Sequence, residues 1–138
     1  KEWLESASTR TVRFKRGGIF WERQELYNGR VKGLDGRQVL IRNEKDILVF
    51  MLQSDEALTM QYATVLQNKI LEQKYKEGED WVQVCMYHDE TTIECKPEIA
   101  EQIGEIMEDS INQAGKYFKL SIEQTGEAEI GDSWFAVH

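Results

Sequence analysis

From Asn43 to Glu77 the chain contains neither a proline nor a glycine, and this constrains the fold more than any other feature. Ile47, Leu48, Met51, Leu52, Leu58, Val65, Leu66 and Ile70 recur there at three-to-four-residue spacing, the period of one face of an α-helix. The pattern predicts a single long helix with that stripe in the core. Asn43 is placed to cap it, Asp46 falls in its first turn, and Gly78 ends it. Any fold of this chain must bury one side of a rod and fit everything else around it.

The flanking segments supply strands. Val31, a Leu34-Asp35-Gly36 turn, then Val39, Leu40 and Ile41 read as a short hairpin feeding the helix. After a turn at Glu77-Gly78-Glu79-Asp80, Val82, Val84 and Met86 alternate on one strand face. Thr91 to Cys95 has the same character, so His88-Asp89-Glu90 between the two runs is a tight turn. Pro97 opens a second helix with the stripe Ile99, Ile103, Ile106, Met107, Ile111 and Ala114, expected to stop before Gly115. A last strand is expected near Tyr117 to Ile122. Residues 2–8 read as the end of a helix, and 10–28 are mixed, with a bend at Gly17-Gly18. The fold class that follows is α+β, an antiparallel sheet with two long helices packed on one face.

Several classes are disfavoured. With 138 residues and 41% hydrophobic content, the chain supports one modest core. It has no membrane-length apolar run and no leader-like start, which gives a cytoplasmic expectation. Cys85 and Cys95 lack the close pairing and neighbouring histidines of a zinc site and read as reduced thiols. The net charge of -8 is unevenly placed: residues 1–45 hold 11 Lys+Arg against 6 Asp+Glu, whereas residues 46–138 hold 6 against 19. The basic third, with Arg10, Arg13, Lys15, Arg16, Arg30, Lys32, Arg37 and Arg42, is either a phosphate-facing surface or a solvated one. The first residue is Lys1 rather than methionine, which leads to the expectation of a piece processed or excised from something longer.

The candidate chemistry lies at His88-Asp89-Glu90. A carboxylate at a hairpin tip is held by two hydrogen-bonded strands and presents oxygens to a hard cation with little freedom to move. Magnesium suits such a site. In two-metal phosphoryl transfer, carboxylates bridge two ions that activate the attacking oxygen and clamp the leaving group, and Asp89 fits that role. His88 could steady a phosphate or a sugar, and Glu90 could act as a second acid. Taken alone, an exposed acidic turn is commonplace.

Four segments in order change that weighting. Tyr87-His88-Asp89-Glu90 in an apolar hairpin resembles the C motif of the family A DNA polymerases. Gly33-Leu34-Asp35-Gly36-Arg37 resembles that family's Leu-Asp-Gly-Arg hairpin, and Leu52-Gln53-Ser54 its minor-groove segment. Trp134 to His138 is similar to the ending of the short-tailed phage replicative enzymes. The resemblance spans residue 30 to the end, with the phage branch as the best match.

The resemblance implies that residues 1–29 connect fingers to palm and that 30–138 form the C-terminal palm portion. It implies Asp89 as one of two metal-holding aspartates, Glu90 as the adjacent acid and His88 as a contact to the primer terminus. Gln53 would touch minor-groove acceptors, which occur in both A·T and G·C pairs. By spacing, Lys45, Val49 and Gln53 share one helix face, which the resemblance implies would look at DNA, and it implies Arg37 and His138 as further members of the DNA-binding set. Val49 departs from the family, which usually has a polar residue there.

The family's first metal aspartate, fingers helix, thumb and exonuclease are expected outside this chain. The Mg2+ pair would therefore be shared with an aspartate from elsewhere. The implied partners are primer-template DNA, dNTP and a second polypeptide or upstream segment carrying the missing parts. Two rivals are a non-catalytic interaction module or polymerase relic, and a metal-dependent nuclease using Glu94 or Asp132 as a further acid.

Overall fold

The computed structural model describes residues 8–27, 29–41 and 43–137. It is α+β, in the order β1 (Ser8–Arg16), β2 (Ile19–Tyr27), β3 (Gly29–Lys32), β4 (Gln38–Ile41), α1 (Ile47–Lys74), β5 (Trp81–Tyr87), β6 (Glu90–Cys95) and α2 (Ala100–Tyr117). Short 3₁₀ turns at Glu44–Asp46, Pro97–Ile99 and Trp134–Val137 complete the set. Among the described residues the strands form three separate two-stranded antiparallel sheets, β1-β2, β3-β4 and β5-β6, where one sheet was expected. Contacts divide the chain into two compact units, Lys1–Asp55 and Glu56–His138, with α1 running through the division.

In the first unit, Gly17 and Gly18 both take positive φ, 60° and 82°. That pair of left-handed residues suits a two-residue hairpin turn whose twist matches its strands. A long β1-β2 ribbon therefore stands where the sequence suggested only a bend. Its register runs from Ser8↔Tyr27 to Arg16↔Ile19. Basic residues are interleaved on both of its faces, so no apolar alternation announces it. The expected helix end at 2–8 lies outside the described residues apart from Ser8, which begins β1. The β3-β4 hairpin is as expected. Val31 and Ile41 are its buried apolar side chains, and Gly36 takes φ 84° after Leu34-Asp35.

Asn43 donates from Nδ2 to Asp46 Oδ2 at 2.9 Å, and the Asp46 amide to the Asn43 carbonyl at 3.1 Å. These bonds close the 3₁₀ turn that leads into α1. Helix α1 has the predicted reach but not the predicted stripe. Its buried residues are Thr59, Met60, Ala63, Thr64, Gln67 and Leu71, while Leu48, Leu52 and Val65 are exposed. The physical reason is coverage, since a helix face is buried only where something packs on it, and Thr64 also returns its hydroxyl to the Met60 carbonyl at 2.9 Å. The bulkier Leu48, Leu52 and Val65 fall on sides of the helix that are exposed.

The second unit has its core at Leu71, Trp81 and Ile103, flanked by Tyr75, Ile93, Cys95, Ile99, Ile106 and Met107. One helix, one hairpin and a second helix thus share a core. Trp81 anchors the first residue of β5, whereas Val82, Val84 and Met86 are exposed, so the strand face predicted to be apolar is not the one that is covered here. Asp80 latches this junction. Its carboxylate accepts from Lys96 Nζ at 2.6 Å and from the Lys76 amide at 2.8 Å. The Lys96 ammonium, followed by the Lys76 amide, holds the Asp80 carboxyl below the usual range and is itself raised by the pairing.

Helix α2 runs past Gly115 to Tyr117, and no strand forms at 117–122. The tail instead doubles back along α2. Asn112 Nδ2 donates to Glu123 Oε1 at 2.8 Å and to the Gln124 carbonyl at 3.2 Å, and the Ala128 amide donates to Glu108 Oε1 at 2.8 Å. Gly115 marks the tail's path rather than the helix end: a Cβ there would meet Gln124 Cγ at 2.6 Å. Close packing explains the residue better than helix termination does.

Candidate active-site hairpin and helix face

The β5-β6 hairpin pairs Tyr87 with Glu90, leaving His88 and Asp89 as a two-residue loop. His88 takes φ 53°, a left-handed conformation in which histidine is among the commoner non-glycine residues. Its ring meets that of Tyr87 edge-on at 4.3 Å. Glu90 begins β6 and accepts from Thr92 Oγ1 at 3.2 Å. Asp89 is exposed and makes no hydrogen bond or ion pair among the described residues. The sequence had placed three side chains at the tip; the structure places two there and Glu90 on the strand.

The hairpin is braced from below. Trp81 is buried at the base of β5, Asn68 of α1 donates to Gln83 Oε1 at 3.0 Å, and Thr64 Oγ1 lies 3.7 Å from Met86 Sδ. A register irregularity between Gln83 and Cys85 re-aims the strand below the tip, as bulges do.

The second cluster belongs to the first unit. Lys45, Val49 and Gln53 are all exposed, although Lys45 lies in the 3₁₀ turn rather than in α1. The Leu-Asp-Gly-Arg turn sits against the helix turn that carries Gln53. Asp55 accepts from the Leu34 amide, and a Cβ on Gly33 would lie 3.5 Å from Ser54 Oγ. Burial pushes the Asp55 carboxyl up, partly opposed by that amide bond. Sequence reasoning passed over Asp55. Its only sequence signal was an acid beside Leu52-Gln53-Ser54, and charge on an amphipathic helix is ordinarily solvent-facing.

Arg37 turns inward on its own loop. Its amide donates to Asp35 Oδ1 at 3.0 Å and its Nε to Asp35 Oδ2. The Arg37 amide, more than its guanidinium, holds the Asp35 carboxyl below the ordinary range, against a partial desolvation that raises it. The Arg37 side chain is still 71% exposed, and a guanidinium has donors beyond Nε. His138 lies outside the described residues. The Gln53 face and the Asp89 tip fall in different units.

The carboxylate oxygens of Asp89 and Glu90 are right in kind for Mg2+. Among the described residues, no three of His, Cys, Asp and Glu gather into a metal-binding group. The donor set therefore fits part of a magnesium shell and falls short of a whole one.

Comparison with known proteins bears on the same segments. A stretch of 108 residues, 77% of the chain, is 32% identical to DNA polymerase I of Aquifex aeolicus (strain VF5). Stretches of 112 residues are 29% identical to the DNA-directed DNA polymerases of Enterobacteria phage T3 and Escherichia phage T7. The chain is related to the family A DNA polymerases. No protein-family profile matches it. The matched stretch spans 18% of the Aquifex enzyme and 16% of each phage enzyme, so the chain corresponds to a portion of these polymerases. Among its described residues, no helix is long and apolar enough to cross a membrane.

Proposed function

We propose that this chain is the C-terminal palm portion of a DNA-directed DNA polymerase, with residues 30–138 as the palm part and 1–29 as the connection from the fingers. The observation that carries the reading is the state of Asp89: a carboxylate without a partner among the described residues, on a two-residue loop over a braced hairpin, in a chain related to polymerases. A polar group in such a position is prepared for an external cation, because no internal bond must break first. Asp89 is the metal-holding aspartate, Glu90 the adjacent acid and His88 the contact to the primer terminus. The site takes Mg2+ together with an aspartate supplied from outside these residues. When bound, the metal pair supplies Lewis-acid stabilisation of the nucleotidyl transfer.

Gln53, with Lys45 beside it, is the minor-groove contact, and the Leu34 turn pinned to Asp55 holds that part of the helix. Arg37 and His138 contribute further to DNA binding, and Val49 makes this contact thinner than a polar residue would. Substrates are primer-template DNA and dNTP. The remainder of the polymerase, as a second polypeptide or an upstream segment, covers the apolar surface left open here. Leu48 is 67% exposed on α1, and Val82, Val84 and Met86 are exposed on β5. An interface of that character is large and obligate.

The test mixes the chain with a polypeptide carrying the remaining polymerase parts, then measures primer extension with Mg2+ and dNTP. Extension that depends on both polypeptides and disappears in Asp89→Ala is the expected result. Equal extension by Asp89→Ala and the parent would refute the assignment.

A further inference from the structure

We propose that Thr64 and Asn68 are positioning residues for Asp89: by holding β5 on both sides of its irregularity, they fix the register that makes His88-Asp89 a two-residue loop. The catalytic consequence rests on the assignment of Asp89 above, whereas the register itself does not.

The strand pairing shows what the irregularity does. Below it, Trp81↔Cys95, Val82↔Glu94 and Gln83↔Ile93 share one register. Above it, Cys85↔Thr92, Met86↔Thr91 and Tyr87↔Glu90 share another, one residue on, so Val84 is the extra residue of β5. Successive residues of β6 alternate between faces, and residues directly opposite share a face. Trp81, Gln83 and Met86 therefore lie on one face with Cys95, Ile93 and Thr91. Trp81, Ile93 and Cys95 pack in the core with Leu71 of α1, so this face is turned to the helix. In an unbroken strand Gln83 and Met86, three residues apart, would point to opposite faces.

Helix α1 meets both. Asn68 Nδ2 donates to Gln83 Oε1 at 3.0 Å just below the extra residue, and Thr64 Oγ1 touches Met86 Sδ at 3.7 Å just above it. Thr64 and Asn68 are four residues apart and share one side of the helix. Were the lower register continued to the tip, Val84 would pair with Thr92, Cys85 with Thr91 and Met86 with Glu90, leaving Tyr87-His88-Asp89 as a three-residue loop. Met86 would then turn away from Thr64, and the loop presenting Asp89 would be a different one. A one-residue slip of this kind carries side chains to the wrong face.

The turn does not prevent the slip, because neither His88 nor Asp89 is the glycine that tight hairpin loops favour. The helix contacts do. Their penalty is visible at Asn68, whose Oδ1 is buried without a partner among the described residues. Packing alone would favour an apolar side chain there, whereas a directional polar contact can specify register.

The experiment compares the full chain with Asn68→Leu/Gln83→Leu, which removes both amides and keeps apolar packing, so that the urea midpoint stays near the parent's. In the parent, cross-strand backbone NOEs should link Cys85 with Thr92 and Met86 with Thr91. In the leucine pair, NOEs linking Cys85 with Thr91 and Met86 with Glu90 should join them. Thr64→Val, which keeps the shape and loses only the hydroxyl, should give the same new NOEs at lower intensity. Asn68→Gln/Gln83→Asn, which exchanges the two amides, should return the parental set. In the reconstituted polymerase, kcat of primer extension should fall roughly ten- to hundredfold in the leucine pair, the range for a displacement near ~1 Å, with KM for dNTP unchanged. The exchanged pair should recover it. A purely parental register in the leucine pair or in Thr64→Val, or an equal shift in the exchanged pair, would overturn the proposal whatever the extension rate. A shifted register with parental extension would uphold the clamp and refute instead the metal role of Asp89.

Discussion

The two hairpin turns that carry aspartate differ in what the aspartate does. In the β3-β4 turn, Asp35 is consumed internally, bonded to the amide and the guanidinium of Arg37, with Gly36 supplying the left-handed residue. In the β5-β6 turn, His88 supplies the left-handed residue, and Asp89 bonds to nothing among the described residues. The same residue type at the tip of the same kind of element is a structural staple in one place and an available ligand in the other. Sequence motif alone does not distinguish them; the neighbour two positions on does. Arg37 reaches back to Asp35, whereas the corresponding neighbour of Asp89 is Thr91, which has no charge to offer.

The largest test of this contrast concerns what holds the second turn rigid. Trp81→Ala should lower stability by about 3–5 kcal/mol, measured by urea denaturation, because Trp81 belongs to the core beneath β5. If the loss is small, the hairpin is not braced as described. Next, Asp89→Ala should reduce primer extension in the reconstituted polymerase on the order of 10²–10³-fold while leaving the urea midpoint unchanged. Asp35→Ala should show the opposite profile, with a lowered midpoint and near-parental extension; matching profiles would erase the distinction between the turns. A third variant addresses backbone strain. His88→Val should cost about 1–2 kcal/mol, since a β-branched side chain is poorly accommodated at positive φ, and His88→Gly should not. Equal stability of the two variants would mean that the loop relaxes.

The smallest effect is in acid. The Asp35 carboxyl is lowered on folding, so its contribution to stability is present above the unfolded carboxyl's range and is lost as pH falls through the lowered folded value. Asp55 is raised, so the opposite sign applies: ionising it on going to neutral pH opposes folding. Carbon-detected NMR titration should find Asp55 titrating above Asp35. Asp55→Asn, which keeps an acceptor for the Leu34 amide, should raise the melting temperature slightly at pH 7 relative to pH 4. Reversal of either order would contradict the assigned environments.

Much of the fold could be read in advance where local chemistry decides it. The long helix, the Leu34-Asp35-Gly36 turn, the two-stranded arrangement around His88 and the stripe Ile103, Ile106, Met107 and Ala114 all follow from periodicity and turn residues. The candidate site was legible because Asp89 lies between two strand-like runs. Apart from the β1-β2 ribbon, whose faces show no apolar alternation, what was missed was non-local. Leu48 and Leu52 looked like core and are exposed, because a face is buried only if something covers it. Gly115 looked like a helix stop, but its purpose is to let Gln124 approach.

By itself, then, the order of residues determined the secondary structure around the Leu34-Asp35-Gly36 and His88-Asp89 turns, since φ preferences and hydrogen-bonding side chains act within a few positions. Tertiary structure alone decided which side of α1 is buried and that the tail straps α2. Burial and pairing depend on groups distant in the chain, and no local pattern encodes their meeting.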